Sequence, residues 1–410
     1  MSEAFTGMWQ AIHEVGRSGE TGGYHRFVWT DADHTLREWF AGEAARRGMD
    51  CQVDRNGNQW AWWGDPAAGD AVVLGSHLDS VPDGGAYDGP LGVLSAFAAV
   101  DGVRAAGVQP LRPIAVVNFI DEEGARFGVP CAGSRLLTGS LSPERARALR
   151  DRDGHSMEEV LRAAGRDPRL LGRDDVLDAV GTFVELHVEQ GRDLVDRDHA
   201  VGLGSEIWPH GRYRFEFTGQ ANHAGTTAMD ERRDPMLTYA MTVLAANKKA
   251  RLGGARATFG RVQVEPNGTN AIPARVQAWL DARAPAADDV AELVRAVQQQ
   301  ASERARRDGT RLTVTAESET GSTHFDPRLT ARLARQLSDA PVIATGAGHD
   351  AGVLSQAGIP TAMLFVRNPT GVSHSPDEFA EHSDCLAGVQ ALTRVLGELT
   401  TAASEQGRAP

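Results

Sequence analysis

At 410 residues the chain is longer than one ordinary hydrophobic core, and two domains are expected. A content of 41% hydrophobic and 24% charged residues is that of a globular protein. The formal net charge of −13, without any basic run, excludes nucleic acid and anionic membrane as expected partners. Cys51, Cys131 and Cys385 are scattered and show no CxxC spacing, so neither a disulfide framework nor a thiolate metal site is expected. Met1 to Gly19 lacks the basic start and apolar block of a leader, and no apolar run approaches the ~20 residues that span a bilayer. The expected location is the cytoplasm.

Met1 to Gly48 reads as two helical stretches, with Leu36, Trp39, Phe40 and Ala44 at helical spacing. Asn56-Gly57 between Asp50–Val53 and Gln59–Trp63 is a hairpin signal. Ala71 to Leu74 is a short buried strand, and it runs into Gly75-Ser76-His77-Leu78-Asp79-Ser80 and a glycine-rich loop carrying Asp88. A buried helix is expected over 92–106 and a second apolar strand over 113–120, ending at Asp121-Glu122-Glu123-Gly124. A charged, helical segment is expected over 142–178, followed by a third strand that ends at His187-Val188-Glu189-Gln190-Gly191.

From about Trp208 the texture changes. Strands over 212–218, 257–264, 276–282 and 312–316, with helices over 235–250 and 288–307, give the order β-α-β-β-α-β. The α/β texture then returns, with a helix near 329–337, a strand over 361–366, a closing helix from Asp384 and an alanine-rich tail after Thr400. The expected fold is a mixed-sheet α/β catalytic domain, residues 1–207 and 321–410, with a ferredoxin-like domain inserted over 208–320.

The chemistry-bearing residues fall at strand ends, where open α/β sheets bind their ligands. His77, the Glu122-Glu123 pair, His187 and His374 (in Gly371-Val372-Ser373-His374-Ser375-Pro376) meet Asp88 there. Imidazoles with carboxylates and no thiolates suit Zn²⁺, Mn²⁺, Co²⁺ or Ni²⁺. A carboxylate has two oxygens and can serve two ions, which makes Asp88 the candidate bridge. Asp79, two residues after His77, is placed to accept the second ring N–H of that histidine. Of Glu122 and Glu123, one can ligate while the other removes a proton from the attacking water.

Taken with Tyr-Asp-Gly-Pro-Leu-Gly, Gly219-Gln220-Ala221-Asn222-His223-Ala224-Gly225-Thr226-Thr227, Asn267 to Pro273, Leu280 to Arg283 and Gly346 to Ala351, these motifs resemble the M20-type dinuclear metallohydrolases. More narrowly they resemble the amidase/hydantoinase-carbamoylase branch, which includes allantoate amidohydrolases and N-carbamoyl-L-amino-acid hydrolases. The resemblance implies two divalent ions per subunit. His77, Asp88 and His187 would hold one, and Asp88, Glu123 and His374 the other, with Glu122 as general base. It also implies that the inserted domain is a lid pairing two subunits into a homodimer. His223 would then reach the partner's site as oxyanion donor, while Gln190, Asn270 and Arg283 bind substrate.

The implied reaction is hydrolysis of a linear amide or ureido C–N bond in a small carboxylate-bearing substrate. Allantoate comes first and an N-carbamoyl-L-amino acid (or β-ureido acid) second. A dipeptide is disfavoured because His187 replaces the acidic ligand usual in that branch, and retention of Glu122-Glu123 disfavours an inactive metal-binding relative. Two positions depart from the family pattern: His210 stands where a glutamine is usual, and Ala228 where a proline is common.

Overall fold

The computed structural model describes residues 2–338 and 340–401. The chain divides into two units, Met1–Glu206 with His324–Pro410, and Ile207–Thr323. Among the described residues no helix is long and apolar enough to cross a membrane.

The larger unit is built on a mixed sheet. Its strands lie in the order Asp50–Val53, Gln59–Trp63, Ile114–Phe119, Ala71–His77, Val180–Val188, Thr361–Val366, Val201–Ile207 and Thr323–His324, and Val342–Thr345 also pairs with Val201–Ile207. The four central strands run parallel, while the flanking pairs are antiparallel. Ala71–His77, Ile114–Phe119, Val180–Val188 and Thr361–Val366 are buried at every residue, which is why they read as continuous apolar runs rather than alternating ones. Each Val or Leu buried in full there contributes roughly 1.5–3 kcal/mol. The helix Pro90–Ala105 is buried on nearly every side and packs with the closing helix His382–Thr401. Trp60 and Trp62 are buried and stacked, with centroids 5.9 Å apart, so the tryptophan-dense hairpin strand is packing.

The smaller unit has a four-stranded antiparallel sheet in the order Arg311–Thr320, His210–Thr218, Arg275–Arg283, Arg256–Glu265. Helices Pro235–Leu252 and Ala287–Asp308 complete β-α-β-β-α-β. Gly211, Tyr213, Phe215 and Phe217 are the buried face of an alternating strand, and the three aromatic residues pack with Val290, Leu293, Val294 and Val297 of the second helix.

Some local expectations change. The charged segment 142–178 is not continuously helical: it holds short helices at Pro143–Ala148 and Met157–Ala163 and 3-10 turns at Pro168–Leu170 and Asp175–Ala179. The Asp151 carboxylate accepts the N–H groups of Asp153 and His155 and turns the chain, and Ser156 starts the next helix with a capping box. Met157, Val160 and Leu161 are buried against Phe127 and Leu136, so this segment contributes to a core. The helices Ala132–Thr138 and Asp350–Gln356 and the strands Val201–Ile207 and Val342–Thr345 were not anticipated. The alanine-rich tail lies almost wholly outside the described residues.

Candidate metal centre

The parallel strands deliver their carboxyl ends to one edge. His77 is in register with Phe119, two residues before Asp121-Glu122-Glu123, and His187 is in register with Phe365 of Thr361–Val366. Asp88 arrives from the loop before Pro90–Ala105. Gly89 has φ +87°, and a Cβ there would lie 2.4 Å from His77 Cε1, so only glycine lets the loop pass the imidazole.

Asp88 stands between two groups of donors. Its Oδ1 lies 3.2 Å from His187 Nε2 and 3.5 Å from His77 Nε2. Its Oδ2 lies 3.5 Å from His374 Nε2, which in turn lies 3.5 Å from Glu123 Oε1. These separations are long for charged hydrogen bonds, but two ligands at ~2.0–2.2 Å on a tetrahedral ion stand roughly 3.3–3.6 Å apart. His187 Nδ1 faces the Val188 carbonyl at 2.9 Å and His77 Nδ1 the Asp79 carbonyl at 3.2 Å. A carbonyl can only accept, so each Nδ1 carries a proton and each Nε2 can turn a lone pair to the site. Among the described residues, the buried His77 Nε2 has no hydrogen-bond partner. The donor set therefore fits divalent ions.

The electrostatics agree with that fit. Burial alone would depress the pKa of His77, but Glu122, Asp79 and Asp88 raise it well above the ordinary value. Burial likewise opposes, and Asp88 and Glu185 overcome it to bring His187 to about 9. Burial raises Glu123 well above the usual carboxylate range, assisted by Asp88 and Glu122, and pushes Glu122 to about 7. The crowded carboxylates create a field that stabilises positive charge at this edge.

Asp79 stays beside His77 and has a second use. Its carboxylate lies 3.5 Å from His77 Nδ1, but its Oδ1 and Oδ2 accept the backbone N–H groups of Glu122 and Glu123, each at 3.1 Å. Asp79 thus holds the turn that presents both acids. Glu122 Oε1 accepts from Cys131 Sγ at 3.2 Å, and its Oε2 lies 3.8 Å from His77 Nε2. Gln190 donates through Nε2 to Asp88 Oδ2 at 2.7 Å and to Ser373 Oγ at 3.1 Å, while its buried Oε1 has no hydrogen-bond partner.

Sequence reasoning passed over Glu185, Cys131, Ser373 and Glu378. Glu185 accepts from Ser76 Oγ at 2.7 Å and from the Ala351 N–H at 3.0 Å. Its signal was available, because an acid two residues before His187 shares that residue's face of the strand. His349 is buried, with its ring centroid 4.5 Å from that of His187.

In the smaller unit, Asn222–His223 pairs antiparallel with Ala271–Ile272, and the Asn270 carbonyl accepts the Ala224 N–H at 2.9 Å. His223 and Asn270 are therefore neighbours, both exposed. His223 Nδ1 accepts the Gly225 N–H at 3.0 Å, which places the proton of the neutral ring on Nε2. Arg283 gives Nε and Nη2 to Asp281 at 2.7 and 3.0 Å, so that edge of its fork is occupied. His210 is in register with Arg283.

Residues 73–398 match the sequence family described as Peptidase family M20/M25/M40. An N-carbamoyl-L-amino acid amidohydrolase of Geobacillus stearothermophilus is 36% identical over 401 residues, covering 96% of this chain and 98% of its own. An allantoate amidohydrolase of Escherichia coli (strain K12) is 31% identical over 391 residues, covering 92% and 93%. A crystal structure of an amidase of the hydantoinase/carbamoylase family from Burkholderia vietnamiensis superposes with a TM-score of 0.89 at 29% identity, covering 98% of each chain.

Proposed function

The chain belongs to peptidase family M20/M25/M40 and is a hydrolase of that family, and on that premise we propose that it cleaves the ureido C–N bond of a small carboxylate-bearing substrate. The observation that carries the reading is Asp88, whose two oxygens face two separate donor groups at ligand-edge distances. His77, Asp88 and His187 would hold one divalent ion, and Asp88, Glu123 and His374 the second. Ions held there would polarise the carbonyl under attack and ease deprotonation of the attacking water.

The chain's own groups do the rest. Glu122, held by Cys131 and by its backbone bond to Asp79, takes the proton from water and returns it to the leaving nitrogen. The Gln190 Oε1, which has no hydrogen-bond partner among the described residues, is a ready acceptor for a substrate ureido N–H. In the smaller unit, His223 presents Nε2–H as an oxyanion donor, with Asn270 beside it. Arg283 is the carboxylate partner, and Asp281 orients its guanidinium by accepting from Nε and Nη2.

Relatives named N-carbamoyl-L-amino acid amidohydrolase, at 36% identity, and allantoate amidohydrolase, at 31%, support both substrates as candidates. A panel of N-carbamoyl-L-amino acids, allantoate, β-ureido acids and dipeptides, each with and without chelator, tests both the class and the substrate. Hydrolysis of dipeptides alone would contradict it.

A homodimer through the smaller unit is part of the same proposal. Leu237, Met241 and Leu244 recur at i, i+4 and i+7 on the helix Pro235–Leu252 and are 45%, 44% and 63% exposed. That helix packs on Arg256–Glu265, an end strand of its sheet, and a second copy would cover both.

A further inference from the structure

Glu378 is buried four residues after His374, yet its carboxylate belongs to the loop that carries Asp88. Its Oε1 accepts the backbone N–H groups of Tyr87 and Asp88, each at 2.9 Å. Its Oε2 lies 3.1 Å from Ser373 Oγ, which lies 3.2 Å from Asp88 Oδ2. The seat is built for it: a Cβ on Gly85 would stand 2.4 Å from both Glu378 Cβ and Oε1. Burying a carboxylate is costly unless its oxygens are satisfied, and here they are satisfied by the two loops that meet at the centre.

The two donor groups are held unequally. His77 and His187 project from strands buried along their whole length. Glu123 and His374 lie on loops; the His374 side chain is 50% exposed and its backbone is left-handed at φ +55°. No sheet register fixes the second group, so something must hold one loop against the other.

We propose that Glu378 is a positioning residue for the second ion, clamping the Asp88 loop to the His374 loop so that Asp88 Oδ2, Glu123 and His374 converge. The proposal rests on the two-ion reading above. Glu378 touches neither substrate nor ion; it acts through the Asp88 backbone and through Ser373. Removing it leaves His77 and His187 on their strands, so the first group keeps two ligands that the clamp does not touch, whereas the second loses the restraint on both Asp88 Oδ2 and the His374 loop.

The test uses wild-type protein and the Glu378→Ala, Glu378→Gln and Ser373→Ala variants, loaded with Zn²⁺ and challenged with graded chelator. Ions per chain are counted by mass spectrometry, and thermal unfolding is recorded alongside. The wild type is expected to hold two ions. Glu378→Ala is expected to keep the first and release the second at least ~10-fold more readily, as loss of an outer partner does. Glu378→Gln keeps an acceptor for both amides and a donor toward Ser373, and it is expected to hold both ions. Ser373→Ala should fall between. Wild-type retention of both ions by Glu378→Ala, or parallel loss of both, would overturn the proposal. If Glu378→Ala does not fold, Ser373→Ala decides: no selective weakening of the second ion overturns it. A wild type that binds no ion overturns this proposal and the two-ion reading together, whereas a two-ion wild type with an unaffected Glu378→Ala overturns this one alone.

Discussion

Asp79 Oδ1 accepts the backbone N–H of Glu122 at 3.1 Å, linking the end of one parallel strand to the turn that follows its neighbour. With Oδ2 on the Glu123 N–H, one carboxylate fixes both acids of the centre. Asp79→Ala leaves two N–H groups without their acceptor at a buried turn, a cost of ~1–3 kcal/mol for each group left unsatisfied. The expected result is a lower unfolding midpoint in denaturant together with a severe loss of turnover. Unchanged stability would show that water replaces the carboxylate.

Glu122→Gln keeps the shape and the Cys131 contact but removes the proposed base. Turnover is expected to fall by ~10²–10⁴-fold. Ions per chain, counted in parallel, are expected to match the wild type. Full activity would remove Glu122 from the proton path.

The Gly89→Ala variant tests the loop. Its Cβ would meet the His77 ring at 2.4 Å in a backbone conformation at φ +87° that side chains rarely adopt. The ion proposed at His77 is expected to be lost before the one proposed at His374. Calorimetric titration with Zn²⁺ reads this directly, and wild-type affinity at both sites would contradict it.

Much of this was legible in the sequence, and the reason differs by element. The four central strands announced themselves because burial on both faces demands unbroken apolar runs, as in Ala71–Leu74 and Thr361–Val366. His77 and His187 stand at strand ends, where the sequence pointed, while Asp88, Glu123 and His374 lie on loops. Glu378 was hidden because its partners are backbone N–H groups some 290 residues earlier in the chain, which no local pattern encodes. Sequence proximity placed Asp79 beside His77, where its carboxylate does lie, but the bonds it also makes to the neighbouring strand's turn have no local signal. The segment 142–178 misled because its charge masked Met157, Val160 and Leu161, which supply a buried face to a short helix.

Leu244→Asp places a charge at the most exposed position of the stripe on Pro235–Leu252. Sedimentation is expected to show a dimer for wild type and a shift toward monomer for the variant. A wild-type monomer at micromolar concentration would contradict the proposed pairing. Mixing His223→Ala with Arg283→Ala chains should restore part of the activity if His223 serves the partner subunit and Arg283 its own.

The most direct test of the two-ion hydrolase is a metal titration of chelator-stripped protein, followed by hydrolysis of an N-carbamoyl-L-amino acid and of allantoate. Activity is expected to be absent without metal, to rise as Zn²⁺ or Mn²⁺ is added, and to plateau at two equivalents per chain. Full hydrolysis by the stripped protein, or a plateau at one equivalent, would contradict the assignment of Asp88 as the bridge between two ions.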